Sequence, residues 1–225
     1  MCITPKTILV RQVAFRLVIA QPKAVAKPVV THLKQDTNLA RISDSIRVGY
    51  CESTRKELSD CAEVFFVNDN CRNTQYVITS LLAWKNKFND ANLVNVVHFN
   101  CGHWDIAHWS GHSEPLTSED EYAKNIQIII DLIRVKFKNA KIAFATTTSM
   151  NPDGTPSGNY RTNEMIDRYN EIAVRVAEKN GIPVDDLNKI TKEWGSDSYK
   201  DYCHHTEEAA AKLGKAVADF IREML

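Results

Sequence analysis

The sequence carries no excess charge of either sign, because 28 Lys and Arg residues balance 28 Asp and Glu residues among its 225. A protein that binds nucleic acid or an anionic membrane over a broad surface needs a basic excess, so neither partner is expected. Long apolar runs are also absent. A membrane-spanning helix needs roughly 18–20 consecutive apolar residues, and no stretch approaches that length.

The six cysteines lack the spacings of a metal or redox site. They form no C-x-x-C pair and no zinc-finger arrangement, so we interpret them as reduced, small hydrophobic residues. A chain of this length can build a full hydrophobic core without disulfides.

The N-terminal segment has some features of a secretory signal. Lys6 and Arg11 precede the apolar run 13–15, and residues 24–26 resemble a cleavage site. Arg16 interrupts the apolar region, which normally contains no charge. We therefore interpret residues 1–35 as an irregular N-terminal extension and favour a cytoplasmic location, with secretion as the alternative.

Residues 36–225 are predicted to form one domain in which strands alternate with helices. The predicted strands are Asn38–Ile42, Ala62–Val67, Leu93–Phe99, Lys141–Thr147 and Ile182–Val184. The predicted helices are Ile46–Leu58, Thr74–Asn86, Ser118–Phe137, Thr162–Lys179 and Thr206–Met224. Alternating strands and helices require right-handed crossovers, so we expect an α/β fold with a parallel sheet and helices on both faces.

Three polar residues are predicted to meet at the carboxyl edge of this sheet, where functional groups of such folds lie. Ser45 follows the first predicted strand, and Asp201 and His204 precede the last predicted helix. A serine hydroxyl becomes a nucleophile when a histidine takes its proton, and a carboxylate orients that histidine. The sequence thus predicts Ser45 as nucleophile, His204 as general base and Asp201 as its orienting carboxylate.

Each of these residues also has a purely structural interpretation. Asp44 and Ser45 before a helix are typical of an N-cap, and Asp201-x-x-His204 is compatible with an ordinary entry into a helix. Their occurrence together, in this order and in an α/β chain, favours catalysis. The G-x-S-x-G motif of the α/β-hydrolases is absent, so that hydrolase fold is not indicated.

The segments 44–50 (D-S-I-R-V-G-Y) and 201–206 (D-Y-C-H-H-T) resemble the SGNH/GDSL hydrolase family. The resemblance extends from Ile42 to the C-terminus. It implies a three-layer α/β/α sandwich with a flavodoxin-like, five-stranded parallel sheet. It also implies hydrolysis of carboxylic esters, often acetyl groups on carbohydrates, without a cofactor.

The resemblance assigns oxyanion-binding groups that this sequence matches only in part. Ser43 replaces the glycine of the first motif, and Arg72 stands where the family has a glycine whose N–H binds the oxyanion. Trp104 falls where the oxyanion asparagine is expected, so Asn100 is the side-chain amide predicted for this role. Asn73 and Trp104 are predicted to contact the substrate.

A metal site is the alternative for the segment after the third predicted strand. His103, His108 and His112 lie near Asp105, and two of them have the i, i+4 spacing of a helical ligand pair. Gly111 makes a helix there unfavourable, so no metal is predicted.

The leading hypothesis is therefore a metal-independent serine esterase that removes a small acyl group, foremost acetyl, from a carbohydrate or another small molecule. Trp104 and Trp109 would form a wall that stacks on a sugar ring, whereas Arg161, Asn163 and Arg168 are interpreted as solvated helix positions. A carbohydrate-binding protein with a weakened active site and an acyltransferase remain alternatives. The sequence does not predict the oligomeric state.

Overall fold

The structure, a computed structural model, describes residues 38–42, 45–67, 69–88, 90–155 and 158–225; of residues 38, 39, 41 and 42 it describes the backbone. The expectations for the extension 1–35 and for Ser43 and Asp44 lie outside the described residues.

The described residues contain two sheets. The strands are β1 (Asn38–Ile42), β2 (Glu63–Phe66), β3 (Val94–Phe99), β4 (His108–Trp109), β5 (Lys141–Ala145), β6 (Asn159–Tyr160) and β7 (Val184–Asp185). Five of them form a parallel sheet in the order β2-β1-β3-β5-β7, while β4 and β6 form a separate antiparallel ribbon. The predicted α/β fold with a parallel, flavodoxin-like strand order is confirmed.

In the part of the chain that the structure describes, seven α-helices connect and flank these strands. They are α1 (Ser45–Glu57), α2 (Thr74–Lys85), α3 (His103–Ile106), α4 (Glu119–Lys136), α5 (Asn163–Lys179), α6 (Leu187–Lys192) and α7 (Glu207–Met224). Ser118, Thr162 and Thr206 cap α4, α5 and α7 by accepting a hydrogen bond from the backbone N–H three residues further on. These caps define where the long helices begin, as their sequences indicate.

The sheet is buried on both faces, which gives the three layers. In β3, Val97 and Phe99 join a core that α2, α4 and α5 also line, whereas Val96 joins the core formed with α1 and α7. This alternation follows from the two-residue period of a strand. It explains why β3 is almost continuously apolar, since each face meets a layer of helices.

Four short elements were not predicted. They are α3, α6 and the two strands β4 and β6, which form a ribbon with Trp109 opposite Asn159. The last sheet strand is Val184–Asp185 rather than Ile182–Val184. Elements of two to six residues contain too few turns or alternations for a periodic pattern.

None of the described helices has the length and apolar character needed to cross a membrane.

Candidate active site

Ser45 and His204 lie at the carboxyl edge of the parallel sheet because the helices that follow them pack together. Ser45 is the first residue of α1, after β1, and His204 shortly precedes α7. The two helices are in close contact, and Thr54 of α1 donates a hydrogen bond to the Gly214 carbonyl of α7 at 3.1 Å. As a result, Ser45 Oγ lies 3.0 Å from His204 Nε2. The two side chains are within hydrogen-bonding distance, as predicted.

Asp201 contacts the opposite side of the same imidazole. Its Oδ2 lies 2.8 Å from His204 Nδ1. Its Oδ1 accepts the backbone N–H groups of Cys203 and His204, each at 2.8 Å. Partial burial alone would raise the pKa of Asp201, but these hydrogen bonds outweigh it and leave the pKa below its usual value. A carboxylate held by its own loop therefore orients the histidine.

The Ser45–His204–Asp201 chain is open to solvent. The exposed fraction is 38% for the His204 side chain and 46% for the Asp201 side chain. This arrangement can transfer a proton from the serine hydroxyl to the imidazole, while the ionised carboxylate stabilises the resulting cation.

Arg72 lies in the loop between β2 and α2 and has a left-handed backbone, with φ of 46°. Few residues other than glycine adopt this conformation easily. Its N–H donates to the Asn70 side chain at 3.1 Å, and its guanidinium lies 4.8 Å from the ring centre of Tyr76. The chain thus keeps a glycine-like backbone at this position although the residue is arginine.

Asn73 and Asn100 both have structural contacts. Asn73 is the N-cap of α2 and accepts the Tyr76 N–H. Asn100 follows β3, is 6% exposed, and donates from Nδ2 to the Ala145 carbonyl at 2.8 Å. Asn100 also lines a small cavity together with Ile46 in the first turn of α1. The structure thus brings the Asn100 amide close to the helix that begins at Ser45.

Trp104 forms an aromatic pair with Trp109. The ring centres are 5.0 Å apart and the planes are inclined by 39°. Trp109 lies opposite Asn159 in the β4–β6 ribbon, and Asn159 Nδ2 donates to the Tyr202 hydroxyl at 3.2 Å. Since Tyr202 is in the loop that carries Asp201, this hydrogen bond connects the β4–β6 ribbon to the loop of Asp201 and His204.

The interpretation of Arg161 as a solvated helix position is wrong, because Arg161 is buried and lies before the helix. Its exposed fraction is 4%, and it precedes α5 instead of lying within it. It donates to the His103 carbonyl and, at 3.1 Å, to the Tyr202 hydroxyl. Nothing in the local sequence distinguishes a buried arginine from an exposed one at the entry to a helix.

Asn163 and Arg168, the other two residues interpreted as solvated, differ in their surroundings. Asn163 forms two hydrogen bonds with the backbone of Met150, at 2.7 and 3.2 Å, and so fixes the loop after β5. Arg168 is largely exposed and pairs with Glu119 at 2.5 Å.

The histidines after β3 have separate surroundings. His103 is 3% exposed, and burial holds its pKa well below the usual value. His108 Nδ1 lies 3.2 Å from the His112 carbonyl. Asp105 is fully buried and accepts both the N–H and the hydroxyl of Thr74. In the part of the chain that the structure describes, these four residues do not form a cluster that could hold a metal ion.

The chain matches the profile of a family described as GDSL-like Lipase/Acylhydrolase over residues 64–212. This range contains Asp201 and His204 and begins after Ser45. A comparison with curated proteins gives no match.

Solved esterases share the fold. An acetyl xylan esterase, AlAXEase, has a TM-score of 0.65 at 17% identity, covering 82% of this chain and 99% of its own. A lipase/acylhydrolase from Enterococcus faecalis has a TM-score of 0.65 at 16% identity, covering 83% and 96%. Est24, a carbohydrate acetylesterase from Sinorhizobium meliloti, has a TM-score of 0.63 at 12% identity, covering 84% and 100%. At such identities the likeness shows the fold alone.

Proposed function

Because the chain belongs to the GDSL-like lipase/acylhydrolase family, we propose that it is a serine esterase with Ser45 as nucleophile, His204 as general base and Asp201 as orienting carboxylate. The observation that carries the proposal is the continuous chain of contacts, 3.0 Å from Ser45 to His204 and 2.8 Å from His204 to Asp201.

The reaction would proceed through an acyl-enzyme. Ser45 Oγ attacks the ester carbonyl carbon while His204 Nε2 accepts the hydroxyl proton. His204 then donates this proton to the departing alcohol. Water resolves the acyl-enzyme by the same steps, with His204 again as base, and the acid is released. Asp201 stabilises the imidazolium through Nδ1 in both halves of the reaction.

We assign the stabilisation of the oxyanion to three groups. The Ser45 N–H belongs to the first turn of α1, where N–H groups lack partners within the helix and the helix dipole favours negative charge. The Arg72 N–H contributes after exchanging its contact with Asn70 for the oxyanion. The Asn100 amide, which also donates to Ala145, is the third group. One such donor typically contributes a factor of ~10²–10³ to turnover.

The proposed substrate is a small acyl ester, an acetyl group above all, on a carbohydrate. The Trp104–Trp109 pair offers apolar ring faces that can stack on a sugar, and Asn73 offers a polar contact at the start of α2. Two solved structures with this fold are named an acetyl xylan esterase and a carbohydrate acetylesterase. Trp104→Ala should raise KM for acetylated xylo-oligosaccharides and leave KM for p-nitrophenyl acetate nearly unchanged.

The test of the enzyme itself is hydrolysis of p-nitrophenyl acetate by the wild type and by Ser45→Ala. We expect Ser45→Ala to lose at least ~10³-fold in turnover, because no other group can form the acyl-enzyme. Ser53→Ala is a matched control, since Ser53 lies in the same helix and its hydroxyl donates to the Ala211 carbonyl. Wild-type activity in Ser45→Ala would refute the proposal.

A carbohydrate-binding protein with a weakened active site is the second candidate. The observation in its favour is that both predicted oxyanion donors already have partners, Asn70 for Arg72 and Ala145 for Asn100. This candidate requires binding of acetylated oligosaccharides by the wild type without release of acetate. Formation of a new ester when an acceptor sugar is added would instead indicate an acyltransferase.

A further inference from the structure

A carboxylate oxygen and a thiol sulfur both lie close to one imidazole nitrogen, Nδ1 of His204. Cys203 Sγ lies 3.7 Å from His204 Nδ1, and Asp201 Oδ2 lies 2.8 Å from the same atom. One ligand atom from each residue lies within 4.8 Å of the others. Neighbouring side chains of an extended chain point in opposite directions, so the convergence of Cys203 and His204 is a feature of this loop.

The spacing of these atoms is close to that of a tetrahedral zinc site. Zinc bonds of about 2.3 Å to sulfur and about 2.0–2.1 Å to nitrogen or oxygen place the bound atoms about 3.3–3.6 Å apart. The distance of 3.7 Å between Cys203 Sγ and His204 Nδ1 exceeds the upper end of this range by only about 0.1 Å. The Asp201 carboxylate, at 2.8 Å from Nδ1, needs to move outward by roughly half an ångström.

We propose that Asp201, Cys203 and His204 form an inhibitory binding site for zinc or a similar soft divalent cation. The binding site itself rests on the geometry above, whereas the inhibition rests on the proposed function. Thiolate and imidazole ligands select zinc over magnesium or calcium, which prefer oxygen ligands. Asp201 and His204 are partly exposed, so the ion enters from solvent and retains water as its fourth ligand.

Zinc at this position removes the catalytic base. The Cys203 thiol releases its proton and binds as the thiolate, and the His204 lone pair on Nδ1 becomes a ligand. The imidazole proton then resides on Nε2, the atom that faces Ser45. A protonated Nε2 cannot accept the serine proton, and Asp201 binds the ion instead of the imidazole. One proton is released to solvent for each ion bound.

Cobalt titration tests the site without reference to catalysis. In Ser45→Ala, which keeps all three ligands, Co²⁺ should produce a near-ultraviolet sulfur-to-cobalt charge-transfer band that saturates at one ion per chain. The band should be absent in Cys203→Ser and in Cys203→Ala, with folding of both checked by circular dichroism. Cys61→Ser is the matched control and should retain the band, since Cys61 lies away from this loop beside Arg222.

Inhibition is measured with each variant's own zinc-free rate as the reference. Zn²⁺ should inhibit the wild type and Cys61→Ser, and a chelator should restore the rate. Loss of a ligand should raise the zinc concentration for half-inhibition at least about tenfold in Cys203→Ser. The proposed zinc site is refuted if Cys203→Ser is as sensitive to zinc as the wild type, or if Ser45→Ala gives no charge-transfer band. A normal band in a chain without esterase activity refutes the proposed function and leaves the site standing.

Discussion

The Arg161 guanidinium contacts both the hydroxyl and the ring of Tyr202, the residue that follows Asp201. It donates to the Tyr202 hydroxyl at 3.1 Å and lies 5.3 Å from the centre of the Tyr202 ring. The same guanidinium donates to the His103 carbonyl at the start of α3. Arg161 thus ties the loop of Asp201 and His204 to the segment that follows β3.

Tyr202→Phe is expected to lower kcat about tenfold with little change in KM. The substitution removes the acceptor for Arg161 and for Asn159, and a buried charged donor without its partner costs about 1–3 kcal/mol. The loop of Asp201 and His204 is then held less firmly in position, while no proposed substrate contact is altered. Steady-state kinetics and urea unfolding measure the two effects.

Tyr160→Phe is the control for this prediction. Tyr160 belongs to the same β4–β6 ribbon and is 53% exposed. It should change neither kcat nor the free energy of unfolding. An equally large fall in kcat in Tyr160→Phe would show that the ribbon as a whole, and not the Arg161–Tyr202 contact, controls the loop.

Asp201→Asn should leave the fold intact and lower kcat by about 10²–10⁴. The amide can still occupy the space beside His204 Nδ1, but its NH₂ group favours the imidazole tautomer with the proton on Nε2. That tautomer cannot accept the Ser45 proton. Asp153→Asn, in the neighbouring loop after β5, is the control and should retain wild-type kcat. A fully active Asp201→Asn enzyme would mean that another carboxylate orients the base.

Arg72→Gly should preserve activity and stabilise the protein by up to about 1 kcal/mol. A left-handed backbone costs roughly 1–2 kcal/mol for a residue with a Cβ, and the φ of 46° at Arg72 lies in this region. Greater freedom of glycine in the unfolded chain and loss of the contact with Tyr76 offset part of the gain. The oxyanion role assigned to Arg72 uses only its backbone N–H, so kcat should not fall. Arg72→Ala is the control, because it removes the guanidinium but keeps the Cβ and therefore the backbone strain.

The long elements and the three catalytic candidates could be predicted from sequence because their signals are local. Four of the six residues of β3 are apolar, α4 and α7 begin at caps, and Asp201-x-x-His204 places two side chains within one turn. The burial of Arg161 could not be predicted, since it depends on partners 41 and 58 residues away. The β4–β6 ribbon pairs strands about fifty residues apart, each with only two residues.

Asp105 should contribute more to the stability of the fold in mild acid than at neutral pH. Burial raises the pKa of this carboxyl from 3.8 to about 6, although hydrogen bonds from Thr74 oppose the shift. The folded state therefore binds a proton more tightly than the unfolded state. Its stabilising contribution is complete below pH 3.8 and is lost as the pH rises through about 6. The two pKa values correspond to roughly 3 kcal/mol over this interval.

The measurement is the difference in unfolding free energy between the wild type and Asp105→Asn, from urea titrations at several pH values between about 2 and 7. Asparagine cannot ionise, so the wild type should lose stability relative to this variant as the pH rises. Asp60→Asn provides a comparison in which stability should depend on pH in the opposite direction. The hydrogen bond from Arg222 lowers the pKa of Asp60 to about 2, whereas the pKa of Asp105 is raised. The stabilising effect of Asp60 is present above pH 3.8 and disappears as the pH falls toward 2. A pH-independent difference for Asp105→Asn would mean that the three hydrogen bonds from Thr74 keep Asp105 ionised despite its burial.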